Sequence, residues 1–468
     1  MTGASSTDVR SAPALRRRRI VIVGAGFAGA YCAQRLERKL RSRIARSPLE
    51  ASRNGEGIPG GIQDKPSPAS QSGEVEIVVI DPRNYFIFYP FLIEAGTGAL
   101  EPRHAVVSIR AFLHRATFIM GEVTGVDSNA RAVSLVIRTP FGETHDSIPY
   151  DHLVLAPGSA TLRPPIPGLQ EHAFEIKGLP DAVALRDRAI RLLEIANASA
   201  DPQARRRLLH WVIVGGSFTG AELAGEFHEF MRRAVRKYPH LTREDCNITL
   251  VERDDRILRA LHPRLSRYAE GKMRQRGIEI ALNQTVREVG SGHVVLGSGE
   301  RIDASTTVWC AGIAPPPLVA ALNLPVDERG YILCQRDCRV HGMENVWGIG
   351  DCAVNIDADG KPYPATAQHA VREGAHVADN IARLLEGKES LPFNYRTQGS
   401  LAALGCRTGV AEVFGLRLSG FPAWWLWRTL YLLKMPGLAR KVRIAIDWTL
   451  DLFFRHDDVQ LGVHEGRR

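Results

Sequence analysis

Two unbroken apolar runs, Ile20-Val-Ile-Val23 and Trp211-Val-Ile-Val214, each stop at a glycine-rich turn. Runs of β-branched residues predict buried parallel strands, and the glycines predict a tight passage from strand to helix. The turns read Gly24-Ala-Gly26-Phe27-Ala28-Gly29 and Gly215-Gly216-Ser-Phe-Thr-Gly220. A second apolar strand ending in an acid follows each of them, Val75-Glu-Ile-Val-Val-Ile80-Asp81 after the first and Asn247-Ile-Thr-Leu-Val-Glu252 after the second. In this pattern the helix N-terminus presents N–H groups and the positive end of its dipole to a dinucleotide's pyrophosphate, while the acid accepts hydrogen bonds from a ribose. Two such sites in one chain point to electrons passing between cofactors.

The remaining pattern places elements around these two units. His152-Leu-Val-Leu-Ala156-Pro-Gly158 and Thr307-Val-Trp-Cys-Ala311-Gly312 are strand-then-glycine segments, one after each unit, and read as chain crossings between domains. Val346-Trp-Gly-Ile-Gly350-Asp351 puts an acid after a small-residue turn, and a helix is expected to begin in Tyr363-Pro-Ala-Thr-Ala367-Gln368. Between the first fingerprint helix and Asp81, Arg41–Gly73 is rich in Arg, Ser, Gly and Pro and predicts a surface loop or disordered insertion. It stretches the fingerprint-to-acid spacing well beyond the usual value of about 20 residues.

Near the C-terminus, Phe421–Gly437 is apolar and aromatic but interrupted by Arg428 and Pro436, short of the roughly 20 apolar residues a bilayer span needs. Beyond that break Val442, Ile446, Leu450 and Phe453 share one helical face, while Arg440, Arg443, Asp447 and Asp451 line another. The expected amphipathic hairpin suits the headgroup boundary of an anionic leaflet. A dimer interface or a cap on the first domain is its other reading.

A 468-residue chain with 44% hydrophobic residues and 43 glycines has room for two or three buried cores and is neither disordered nor fibrous. The formal net charge of +9 suggests nucleic acid or an anionic membrane. With no nucleic-acid motif beside it, the membrane is the better match. Seven cysteines at irregular spacing, with no CxxC pair, form neither a disulfide framework nor a zinc site, so a reducing compartment and no metal are expected. Met1–Arg19 lacks a secretory apolar stretch; its Ser and Arg content matches a transit peptide, but Arg16–Arg19 abut the first strand.

In motif order the chain resembles the two-dinucleotide-binding-domain flavoproteins, and within them the type II NADH dehydrogenases. The resemblance is most specific in Asn84-Tyr-Phe-Ile-Phe-Tyr-Pro90 through Ala95-Gly-Thr-Gly98, in Phe218-Thr-Gly220-Ala-Glu222-Leu-Ala-Gly225-Glu226, and in Gly350-Asp351 and Ala367-Gln368. It implies an α/β fold of two Rossmann-like domains, an FAD domain with an NADH domain inserted, plus a C-terminal amphipathic helical segment.

By resemblance, FAD lies against Gly24, Gly26, Phe27, Ala28, Gly29, Asp81, Ala156, Gly158, Asp351, Ala367 and Gln368, and NADH against Gly215, Gly216, Gly220, Glu222, Glu252, Ala311 and Gly312. Glu222 is expected where nicotinamide meets flavin, and a carboxylate at Glu252 favours NADH over NADPH, with Arg253 as the counter-argument. Ala367-Gln368 begins the family's Ala-Gln-x-x-x-Gln quinone motif, whose last glutamine is here Arg372, a donor that cannot accept. Glu222, Gln368 and Arg372 are thus the expected catalytic residues. His369 reads as a proton donor to the quinone or, more simply, as a helix histidine satisfied by a neighbour.

The implied reaction carries a hydride from NADH to FAD and two electrons on to a membrane quinone without pumping protons. The expected setting is a homodimer, peripheral on the cytoplasmic face of the inner or cell membrane. Expected boundaries are a flexible 1–15, FAD domain 16–169 with the insertion at 41–73, NADH domain 170–301, returning FAD segment 302–385 and C-terminal segment 386–468. The rivals are a sulfide:quinone oxidoreductase, for which Cys310 and Cys352 sit suggestively, and a soluble ferredoxin or rubredoxin reductase.

Overall fold

The computed structural model describes residues 17–44, 74–454, 459, 460 and 462. The expected flexible segment 1–15 and residues 45–73 of the expected insertion lie outside the described residues. The chain divides into two compact units, Met1–Asn84 with Ile109–Gly158 and Pro317–Tyr395, and Tyr85–Ser108 with Ser159–Pro316 and Arg396–Arg468.

In the first unit a five-stranded parallel sheet runs in the order Val346–Gly348, His152–Leu155, Arg18–Val23, Val75–Asp81, Thr117–Met120. Its fingerprint helix is Phe27–Lys39. An antiparallel sheet of Glu122–Asp127, Ala132–Thr139 and Gly142–Pro149 packs Val123, Val133, Leu135 and Ile148 onto Val21, Val78 and Leu153. Strand Val75–Asp81 starts where the chain left before the insertion: Ile44 bridges Val75, and the Val75 N–H donates to Arg43 O at 2.8 Å. The long spacing between fingerprint and acid therefore leaves the register Ile20↔Ile77 to Val23↔Ile80 intact.

The second unit repeats this plan. Its parallel sheet runs Ala173–Phe174, Thr306–Trp309, His210–Val214, Asn247–Val251, Ile278–Ala281, with fingerprint helix Phe218–Ala234 and an antiparallel sheet of Val286–Gly290, His293–Leu296 and Arg301–Asp303. To it are added Tyr85–Ser108, a three-stranded antiparallel sheet Gly399–Ala403, Gly409–Val413, Leu416–Gly420, and helices Phe421–Lys434 and Leu438–Phe453.

The division departs from the expected boundaries at four places. Thr306–Trp309, assigned to the returning segment 302–385, is a strand of the second sheet, between Ala173–Phe174 and His210–Val214, where Trp211 pairs with Thr306. Tyr85–Ser108, assigned to 16–169, belongs with the second unit because Leu92 and Ile93 enter a core with Leu185 and Phe227. Two of the passages between units fall at Gly158–Ser159 and Pro316–Pro317, so residues 159–169 also go with the second unit. Residues 386–395 go with the first, anchored by buried Phe393, whose N–H donates to Arg336 O at 2.6 Å.

Candidate active site

At the first turn Gly24 adopts φ +92°, and a Cβ there would lie 2.2 Å from Ala156 O; one on Gly29 would lie 1.9 Å from Gly24 O. These two glycines are demanded by the chain's own packing. Gly26 is different. It is exposed, and a Cβ on it would meet nothing within 4 Å. The helix it opens has no acid in its first turn to quench the dipole. A glycine the protein does not need, at a bare helix N-terminus, fits a ligand phosphate approaching the backbone, so these residues fit a dinucleotide.

Asp81 is bound to the same turn: Oδ2 accepts the Ala25 N–H and Oδ1 the Arg83 N–H, both at 2.8 Å, and burial raises its pKa against those two hydrogen bonds. Gly350, at φ +74°, places the Gly350-Asp351 turn beside the same helix, since a Cβ on it would lie 3.1 Å from Ala28 Cβ. The turn is held by Glu373, whose Oε2 accepts the Gly350 N–H at 2.6 Å and whose carboxyl burial pushes up to about 7. Gly158, at φ +74°, also faces open space. The predicted residues Gly24, Gly26, Phe27, Ala28, Gly29, Asp81, Ala156 and Asp351 thus surround one helix end.

The second turn copies the first. Gly215 is at φ +105°, with a would-be Cβ 2.9 Å from Ala311, and one on Gly220 would lie 1.8 Å from Gly215 O. Glu252 Oε2 accepts the Gly216 N–H at 2.5 Å and Oε1 the Asp254 N–H at 2.8 Å. A Cβ on Gly216 would meet Glu252 Oε2 at 3.0 Å and Ile257 Cγ2 at 2.8 Å. Gly312, at φ +85°, turns the chain over Leu162. Arg253 reaches outward, 80% exposed, with its nearest acid 3.9 Å away at Asp254.

Glu222 stands one turn into the second fingerprint helix, so it is not a first-turn acid. Its Oε1 accepts the Ala403 N–H at 3.0 Å and it is also hydrogen-bonded to Trp427; burial nevertheless raises its carboxyl to about 8. Glu226, one turn on, is raised further by burial and by neighbouring carboxylates Glu229 and Glu94. Glu94 accepts the Trp448 indole N–H at 2.9 Å and an Arg428 N–H at 3.4 Å, and Arg428 lies between the Trp424 and Trp448 rings at 4.6 and 4.4 Å. The Arg428 guanidinium pulls Glu94 and Glu226 toward the charged form, but burial outweighs it and raises both. Glu94, Trp427, Arg428 and Trp448 are site-adjacent residues that sequence reasoning missed. The available signal is a lone carboxylate inside the apolar run Phe91-Leu-Ile-Glu94-Ala.

Helix Ala367–Leu385 begins at Thr366, whose hydroxyl caps it by accepting the His369 N–H. It packs tightly on the first fingerprint helix, for a Cβ on Gly374 would lie 2.3 Å from Ala28 O. Gln368 and Arg372 share a helix face and meet at Tyr395, which sequence reasoning also missed: its hydroxyl donates to Gln368 Oε1 at 2.8 Å, and Arg372 lies 5.4 Å from its ring centre. His369 is buried, its Nδ1 2.8 Å from Thr366 Oγ1, and burial lowers its pKa. The neighbour-satisfied reading of this histidine is the one the geometry matches.

Burial pushes Cys310 up to about 12 and raises Cys352 further, and none of the seven is in a disulfide.

Comparison with known proteins agrees with this plan. Residues 55–374 match the family model for pyridine nucleotide-disulphide oxidoreductases, and 397–457 match the NDH2 C-terminal domain. The first turn lies before the matched span, so its pairing with Asp81 is seen in the structure alone. A probable NADH dehydrogenase of Dictyostelium discoideum is 32% identical over 82% of this chain and 85% of its own length. A type II NADH:quinone oxidoreductase of Mycobacterium tuberculosis is 27% identical over 93% of this chain and 88% of its own. The structure of NDH2 from Plasmodium falciparum in complex with NADH superposes with a TM-score of 0.81, covering 95% of this chain and all of that one at 18% identity, a likeness of fold.

Proposed function

The chain belongs to the type II NADH:quinone oxidoreductases, within the pyridine nucleotide-disulphide oxidoreductase family, and from this we propose which residues carry the reaction and where the enzyme works. It is an FAD-dependent, non-proton-pumping enzyme that oxidises NADH and reduces a quinone. FAD, when bound, supplies the chemistry: it accepts the hydride equivalent of NADH and delivers two electrons to the quinone.

The chain's own contribution is binding, orientation and proton placement. The open helix end at Gly26 and the Asp81 carboxylate hold FAD, with Gly158 and the Gly350-Asp351 turn completing its cradle. The turn at Gly215-Gly216 and Gly220, with Ala311 and Gly312 behind it, holds NADH. Glu252, already fixed by two amides, presents a negative charge that repels a 2′-phosphate, while Arg253 points to solvent. Glu222 keeps a proton on its carboxyl at neutral pH. Gln368 and Arg372 donate hydrogen bonds to the quinone oxygens. The observation that carries this reading is Gly26, conformationally dispensable to the protein and placed where a phosphate needs room.

For the C-terminal hairpin the support is its two-faced burial. Ile444 and Trp448 face inward, whereas Trp425, Leu433, Val442, Ile446 and Leu450 are 57%, 65%, 49%, 50% and 49% exposed, beside Lys434, Arg440, Lys441 and Arg443. No helix among the described residues is long and apolar enough to cross a membrane. An exposed aromatic and aliphatic face among cations suits an anionic leaflet, and seven cysteines at irregular spacing with no CxxC pair match a reducing, cytoplasmic side. Pairing of two copies through the same face is the competing use. Sedimentation with anionic vesicles decides between them: replacing Trp425, Val442 and Ile446 by serine should abolish vesicle binding and leave the sedimenting mass in solution unchanged. Loss of a dimer with unaltered vesicle binding would reverse the assignment.

A further inference from the structure

Tyr395 is one residue in contact with both members of the Gln368/Arg372 pair, and it is itself firmly held. Its N–H donates to Tyr363 Oη at 3.3 Å, its ring stacks on buried Phe393 at 6.4 Å and 25°, and it meets His369 edge-on at 5.4 Å and 82°. From this seat its hydroxyl donates to Gln368 Oε1 at 2.8 Å, and its ring face carries the Arg372 guanidinium at 5.4 Å.

The chemistry of an amide makes this contact directional. A glutamine offers an acceptor oxygen on one side and a donor NH2 on the other, and rotation by half a turn exchanges them. Here the phenol donates to the oxygen, which turns the NH2 the other way. Arginine has donors only, and stacking on an aromatic ring orients its plane while leaving the N–H groups at its edge. We infer that Tyr395 is a positioning residue of the quinone site, setting the Gln368 amide with its oxygen toward the phenol and its NH2 the other way, and fixing Arg372 over its ring. The two helix positions then act together as donors. A quinone, whose carbonyl oxygens accept, is matched by such a pair; a quinol, whose hydroxyls also need acceptors, is matched less well and is released. Arg372 in place of the family's second glutamine strengthens this bias, since a glutamine there retains an accepting oxygen.

The inference rests on the assignment of Gln368 and Arg372 to the quinone, so the test separates the two. In the full-length, FAD-loaded enzyme, quinone KM and kcat with a short-chain quinone are measured for Tyr395→Phe, Tyr395→Leu, Gln368→Ala, Arg372→Gln and the double variant Tyr395→Phe/Gln368→Ala. NADH KM and NADH:ferricyanide rate report the other half-reaction, and bound FAD and Tm report folding. Tyr395→Phe, which keeps the ring, should raise quinone KM roughly three- to tenfold, the worth of one hydrogen bond, with NADH KM unchanged. The double variant should be no worse than Gln368→Ala alone, since the hydroxyl acts through that amide. Tyr395→Leu should cost more than Tyr395→Phe, because Arg372 loses its platform too. An unchanged quinone KM in Tyr395→Phe beside a raised one in Gln368→Ala overturns the inference and leaves the site standing, as does full additivity in the double variant. Unchanged quinone KM in both Gln368→Ala and Arg372→Gln overturns the site and the inference together.

Discussion

The two dinucleotide turns are built on one plan, and they differ at three positions that separate what a fold requires from what a ligand requires. In both, the first glycine bonds the neighbouring strand, Gly24 N–H to Ile80 O and Gly215 N–H to Val251 O, each at 2.8 Å. In both, the terminal acid accepts the amide of the second turn residue. Gly26 and Ser217 occupy equivalent helix-opening positions with nearly the same backbone, φ −71°, ψ −163° and φ −72°, ψ −171°. The second turn carries an exposed serine at this position, and the first carries a glycine on which a Cβ would meet nothing within 4 Å, so the protein's own packing does not dictate the residue in either turn.

The second difference is compensatory. The first turn pairs Ala25 with the shorter acid Asp81, and the second pairs Gly216 with the longer Glu252, whose carboxylate takes the volume a Cβ would fill. The third is chemical: Tyr31 in the first fingerprint helix stands where the second has Glu222, so burial raises a phenol in one unit and pushes a carboxyl up to about 8 in the other.

The largest expected effect separates the glycines. Gly29→Ala and Gly220→Ala force a methyl against backbone oxygens and should cost stability at or beyond the upper end of the roughly 1–3 kcal/mol typical of overpacking, read as a fall in Tm or loss of soluble protein. Gly26→Ala should leave the apoprotein's Tm within about 1 °C and reduce FAD affinity more than about tenfold, because only the phosphate approach is blocked. Equal Tm losses at Gly26 and Gly29 would erase the distinction.

Next comes Glu222. Its native pKa of about 8 lies above the ordinary carboxyl value, so the folded state keeps a proton that the unfolded chain releases. The residue therefore costs stability progressively as pH rises from the ordinary value toward 8, and Glu222→Gln should gain Tm over wild type across that window. Wild-type turnover should fall roughly tenfold between about pH 7 and 9, as a group titrating near 8 requires, and the variant's turnover, lower throughout, should lack that limb.

The smallest effect tests the compensation. Gly216→Ala should raise NADH KM by about tenfold through displacement of Glu252, and adding Glu252→Asp, which recreates the Ala/Asp pairing of the first turn, should recover part of it. An additive double variant would show that the two positions are independent.

Both turns, both acids and the two sheets were legible in the sequence because each is a local signal: a β-branched run, a glycine, an acid at the next strand's end. The hairpin's outer face was legible for the same reason. Glu94, Tyr395 and Trp448 were not, since their partners Arg428, Gln368 and again Glu94 are distant in sequence and no period links them. The different placement of Thr306–Trp309 has a similar origin. That strand carries the glycine-ended signature of a crossing, but parallel pairing with Trp211–Val214 decides its unit, and pairing is not written locally.

The most direct measurement is anaerobic stopped-flow of the FAD-loaded enzyme, first with NADH and then with a short-chain quinone, followed by flavin absorbance. Rapid bleaching by NADH, slower bleaching by NADPH and full return of absorbance on adding quinone are expected, with that return slowed in Gln368→Ala and bleaching unaffected. A flavin that NADH bleaches but quinone does not reoxidise would contradict the account.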